Sequence, residues 1–288
     1  MISAIVGATQ ATLTKKGVTV PDALNHASVF ARLFYVLPIL VVYMVIKNAP
    51  LPPIHPWFPY IAIVLAFFEV PAHYCYQRAI KTEKTSLVNP IYALITIPMM
   101  SSFIFFEGWS IVGFAGIVVI TGGVYILQAR KNNYAGGNVL LPIISLWQNK
   151  ESRLMLYAVM CWSITTPLQK VAIKMSNIEM MGLCYLSIAS LLTVLWGIFK
   201  GSSVREIIFP QKVHHFAPIG LVAGINNVLQ YTALSLINPA YVTGLKQTIH
   251  LWLIVSDRFI FKDVISKAQM FAIGIIVTGA MLVGLGVK

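Results

Sequence analysis

Apolar runs about as long as a bilayer is thick recur from one end of this chain to the other. Ala27–Ile46, Trp57–Ile80, Thr85–Phe106, Ser110–Leu127, Leu154–Lys174, Met180–Phe199, Phe216–Ile237, Tyr241–Phe261 and Ala268–Gly286 are separated by short polar segments. A helix needs about 17–25 apolar residues to cross the hydrocarbon core. Backbone in lipid must satisfy its own hydrogen bonds, which leaves helices as the solution for such runs. With the shorter Met1–Thr14, which reaches about 21 Å at 1.5 Å per residue, the runs predict an all-α polytopic membrane protein of about ten transmembrane helices. The first basic residues, Lys15 and Lys16, follow the opening apolar stretch instead of preceding it, so a cleavable signal peptide is not expected.

Composition agrees: 58% of the 288 residues are hydrophobic and 10% are charged, against about 25% charged in soluble domains. A formal charge of +12 would point to nucleic acid in a soluble protein. Here the basic residues cluster in loops, so the expected partners are the lipid bilayer and a small-molecule substrate, with no nucleic acid. The loops after spans 1, 3, 5, 7 and 9 hold thirteen Lys and Arg, and the other face holds Lys47, Lys174 and Lys288. The positive-inside rule then places both termini outside the cytoplasm. No cofactor or metal is expected: Cys75, Cys161 and Cys184 sit in apolar runs without ligand spacing. Nor is an enzyme expected, since HExxH, GxSxG, a phosphate-binding loop and paired acidic ligands are all missing.

The two halves resemble each other. At a shift of 155, Ala8, Leu13 and Lys15 fall on Ser163, Leu168 and Lys170, and Tyr76 falls on Tyr231. VVITGGVYIL (118–127) parallels IIVTGAMLVG (275–284), and glycines so placed permit close helix packing in lipid. The expected organisation is a five-helix repeat over 1–128, a central loop over 129–152 and a second five-helix repeat over 153–288. Because five is odd, the repeats are inverted, an architecture with its site near the midplane.

The paired blocks 79–127 and 233–285 carry a resemblance to the EamA-type transporters of the drug/metabolite transporter superfamily. Each has a short turn between spans, a Pro near the entry of the next span, an acidic residue at its exit (Glu107, Asp263) and a Gly-rich last span. The resemblance implies a ten-span secondary carrier with a central cavity lined by the first four spans of each half. It does not select among amino acids, nucleotide sugars, sugar phosphates and drugs.

Ionisable groups inside spans are expensive and face a cavity or a partner. In span 9, Lys246, His250 and Asp257 fall within about 40° of one another at 100° per residue, and Thr243, Gln247 and Arg258 widen the sector to about 120°. Asp257 and Arg258 lie near the span's end. Lys246 and His250 lie deeper and would form a cationic site for a carboxylate or phosphate, with His250 as a neutral hydrogen-bonding partner. In span 3, Glu69, His73, Tyr76 and Gln77 share a face. Glu69 is suited to carrying a proton or to meeting a substrate amine, and a structural Glu69–His73 pair is the alternative. Span 6 offers Trp162, Thr166 and Gln169 on one face and Lys170 beside it; span 8 offers Asn227, Gln230 and Tyr231. Arg32 and Arg78, near span ends, are expected to snorkel to the interface. Three functions stay open. One is transport of a small polar solute, with or without an anionic group for Lys246 and Lys170 to hold. Another is efflux of cationic or aromatic compounds with Glu69 as the carboxylate. The third is a non-transport membrane protein.

Overall fold

The computed structural model describes residues 2–18, 25–48, 52–82, 91, 95, 110–131, 147, 149–210, 213–250, 252–253, 258 and 266–286. Nearly all of span 4, the acids Glu107, Asp257 and Asp263, and most of the central loop lie outside them. The described elements are helices: α1 (Ile2–Val18), α2 (Asn25–Phe34), α3 (Leu37–Ile46), α4 (Phe58–Thr82), α5 (Ile111–Lys131), α6 (Lys150–Met175), α7 (Ile178–Phe199), α8 (Val204–Ile208), α9 (Val213–Leu236), α10 (Pro239–Lys246) and α11 (Lys267–Gly286). Among the described residues, four stretches are long and apolar enough to cross a membrane: His26–Ile46, Phe58–Lys81, Ile178–Phe199 and Phe216–Leu236. Ile2–Thr14, Ile111–Gly123 and Met270–Gly286 are apolar but shorter. Large apolar side chains such as Ile46, Phe67, Phe199 and Leu236 stand exposed on the outside of the bundle, the arrangement a lipid-facing surface requires.

Two of the expected spans are interrupted. The second breaks at Tyr35–Val36 into α2 and α3. Pro38, in the first turn of α3, has no N–H to offer the turn before it. The ninth stops at Lys246, where tight bonds replace the α pattern: Gln247 N to Gly244 O (3.0 Å), Thr248 N to Leu245 O (3.3 Å) and His250 N to Gln247 O (3.1 Å). Side chains compete for the same carbonyls. Gln247 Nε2 donates to Thr243 O (3.1 Å) and Thr248 Oγ1 to Leu245 O (2.9 Å), a recognised way to bend a helix. The continuous helix expected over 241–261 is therefore corrected to a short α10, a turn at 247–248 and resumed helix at Ile249.

Neighbours follow from small residues and apolar faces. α5 and α11 lie side by side along their lengths. A Cβ at Gly116 would stand 2.6 Å from Val283 N and 2.7 Å from Gly279 O, so these backbones touch only because neither glycine has a side chain. α4 packs on α6 and α7, while α1 and α2 pack on α9. One core cluster joins Leu40, Leu65, Tyr185 and Tyr231 between α3, α4, α7 and α9. A second joins Ile80, Ile117, Val159, Tyr241 and Ile276 around α5 and α11.

Candidate functional site

Between these clusters lies a polar cavity with about 90 Å³ open to the centre of a water molecule, enough for several waters or a small solute. Six long helix segments and the end of α10 surround it. α4 contributes Glu69, His73 and Tyr76; α6 contributes Trp162, Thr165, Thr166 and Gln169; α9 contributes Ala223, Asn226, Asn227, Gln230 and Tyr231. Gly7, Gln10 and Ala11 enter from α1, Arg32 from α2, Tyr185 from α7, and Lys246, Ile249 and His250 from the broken span.

The polar groups form three linked sets. Lys246 Nζ donates to Gln230 Oε1, and Gln230 Nε2 donates to Gln169 Oε1 at 3.2 Å. This chain crosses from α10 through α9 to α6. Glu69 Oε1 meets His73 Nε2 at 3.1 Å. Glu69 Oε2 and His73 Nδ1, both buried, have no hydrogen-bond partner among the described residues. Arg32 lies over the Tyr76 ring, 5.1 Å from its centroid. Guanidinium only donates, so the Gln10 amide turns its oxygen towards it, 3.0 Å from Nε and 3.3 Å from Nη2. Turned so, the Gln10 amide nitrogen lies 3.1 Å from Asn226 Nδ2, and Asn226 Oδ1 accepts from Ser3 Oγ at 3.0 Å. Trp162 stands between the sets, with its ring centroid 5.7 Å from His73 and 5.5 Å from Tyr76.

Eleven of the fourteen residues picked from the sequence line this space: Glu69, His73, Tyr76, Trp162, Thr166, Gln169, Asn227, Gln230, Tyr231, Lys246 and His250. Three are placed elsewhere. Gln247 is buried beside the cavity, where its Oε1 meets His250 Nε2 at 3.1 Å and orients that ring. Lys170 points away and donates from Nζ to Ile237 O at 2.7 Å, capping the end of α9. Gln77 is 1% exposed and outside the lining. Arg32 corrects the expectation of snorkelling: it is part of the cavity wall. Thr165 and Tyr185 were not singled out in the sequence. Tyr185 could not be, since nothing in span 7 marks it; its hydroxyl hydrogen-bonds the Tyr231 hydroxyl on α9. Arg258 is exposed.

An apolar exterior around a walled polar cavity defines the class: an integral membrane protein with an internal site of small-solute size. Residues 150–285 match the model of the EamA-like transporter family, part of the drug/metabolite transporter superfamily. Members of the family are transporters. One solved structure, described only as the crystal structure of a protein, covers 99% of this chain and 99% of its own at 15% identity, with a TM-score of 0.66. At that identity the likeness is one of fold. No curated protein matches the chain.

Proposed function

We propose that the protein is a secondary transporter that moves a small polar organic solute carrying an anionic group by alternating access. One observation carries the reading. Lys246 brings an ammonium to the cavity wall, and its direct hydrogen-bond partner among the described residues is the neutral amide of Gln230. A cation held away from bulk water by a neutral partner is matched by an incoming carboxylate or phosphate. Trp162, Tyr76 and Tyr231 would pack the body of the solute. Glu69, ion-paired to His73 on one oxygen only, is the group for proton coupling.

The reading assumes ten spans in two inverted repeats, 1–128 and 153–288, joined by 129–152. Exchanging the halves turns the packing of α1 on α9 into that of α6 on α4, and leaves the α5–α11 and α2–α7 contacts in place. This is what a twofold axis in the membrane plane would produce. The charge count supports termini outside the cytoplasm, probed by a cytoplasm-only reporter fused after Lys288; activity there would reverse the orientation.

A second reading, export of cationic or aromatic compounds, draws on the unpartnered Glu69 Oε2 and the Tyr76–Trp162 ring pair. The two readings differ in sign. Purified protein is heated with phosphate, succinate and tetraethylammonium in turn. Stabilisation by the anions, lost in Lys246→Met, supports the first reading. Stabilisation by the cation alone, lost in Glu69→Gln, supports the second.

A further inference from the structure

The cavity is sealed at one end by three stacked layers: the first joins the turn after α3 to α7, the second joins α3 to α7 and α9, and the third joins α7 to α9. At the rim, Lys47, just past α3, meets Glu179 in the first turn of α7, with Nζ 3.5 Å from Oε1. Glu179 is 2% exposed although the lysine is half exposed. About one turn further in, Leu40 on α3 fills the space above Gly182: a Cβ there would stand 2.8 Å from Leu40 Cδ1 and 3.3 Å from Tyr231 Cε2. Deeper still, the Tyr185 and Tyr231 hydroxyls bond across α7 and α9 and form that end of the cavity wall. Leu40, Tyr185 and Tyr231 are all buried, so no route to the cavity passes between them.

We propose that these layers are a gate: α3 swings away to part Lys47 from Glu179 and Leu40 from Gly182, α7 and α9 draw apart at Tyr185–Tyr231, and all three contacts close this end in the state seen here. The chemistry fits a device that must open. The lysine of the ion pair is half exposed, so it can leave Glu179 for water. A single leucine against a glycine is a small, reversible apolar seal. The break at Tyr35–Val36 lets α3 move as a unit separate from α2. Tyr231 belongs both to the seal and to the cavity, and its neighbour Gln230 holds Lys246, so solute and gate act on the same helix. The proposal rests on the transport reading, because a closed end needs no gate in a protein that moves nothing.

The test uses the full chain in vesicles of defined sidedness, with the three native cysteines changed to serine and Ala223→Cys as reporter. Ala223 lines the cavity beyond the seal. A charged, membrane-impermeant maleimide is supplied only from the face bearing residues 52–57. Labelling is expected to be slow in the parent. Lys47→Glu, which sets two carboxylates together, and Gly182→Ala, which wedges Leu40 away, should each speed it about tenfold, the change that removing roughly 1.4 kcal/mol of closing energy produces. Lys47→Glu with Glu179→Lys should restore the slow rate. Unchanged labelling in both single variants, with elution profile and melting temperature as in the parent, overturns the gate; if Lys47→Glu fails to fold, Gly182→Ala alone decides. No solute is needed, so a failed gate leaves the anion site standing, and a failed solute screen leaves the gate standing.

Discussion

Lys246→Met separates a binding lysine from a structural one, because the two roles give changes of opposite sign. Methionine keeps the length of the side chain and removes the charge. In the unliganded protein the ammonium is taken out of bulk water and gets one neutral acceptor, Gln230 Oε1, in return. Replacing such a charge with an apolar group of similar volume is often neutral or stabilising. The Gln230 oxygen left behind faces the cavity, so a water can take the lysine's place there. The melting temperature without ligand should therefore hold or rise. Binding should move the other way. A hydrogen bond to a charged group is worth about 1.5–3 kcal/mol, so the variant should bind the anion about ten to a hundred times more weakly. The assay is thermal unfolding of wild type and variant across a titration of phosphate or succinate. A variant that melts well below wild type yet keeps the full anion-induced shift would refute the reasoning, for Lys246 would then hold the fold and not the solute.

Lys170→Met should show the converse. Its Nζ satisfies the part-buried Ile237 O at the end of α9, so its loss should cost about 1 kcal/mol of stability while the anion response, followed in the same melts, stays intact. Gly279→Val should prevent α5 and α11 from meeting, because a Cβ there stands 2.7 Å from Ile120 Cγ1 and 2.8 Å from Gly116 O; overpacking of about 1–3 kcal/mol or more should appear as lost monodisperse yield in detergent. The rim pair has its own pH signature. The Tyr43 hydroxyl above all, opposed next by burial and aided by the Glu179 carboxylate, holds the Lys47 ammonium above the ordinary lysine value. A raised folded pKa contributes fully below the unfolded value and is lost as pH rises through the folded one. Labelling of the Ala223→Cys reporter, normalised to an exposed reference cysteine, should therefore stay slow across neutral pH and quicken only above the usual lysine range. Quickening at mildly acidic pH would contradict it.

What could be read from the sequence, and what could not, follows from how much a lone helix says about its surroundings. Lys246, His250 and Glu69 stood out because an ionisable group amid apolar residues is costly in lipid wherever the neighbours lie. The cost identifies the residue and leaves the cavity's direction open. That direction is fixed by partner helices, and the misplacements fall on one flank of each stripe. On α4, Gln77 lies about 80° round from Glu69, and on α6, Lys170 lies about 80° round from Trp162; both turn out of the cavity on that flank, whereas Thr165, about 60° round the other way, turns in. A stripe drawn symmetrically about its polar centre includes the wrong edge and omits the right one. Gln247 fails for a different reason, since the 100° step that placed it beside Lys246 assumes the helix that stops there. Arg32 reverses the logic of depth. Counted from the start of its apolar run it lies near an end and should snorkel, yet Gln10 and the Tyr76 ring hold it inward. Those partners lie 22 residues before it and 44 after it in the chain. Only the packing of α1 and α4 on α2 brings them to one guanidinium, and no periodicity within span 2 encodes that meeting.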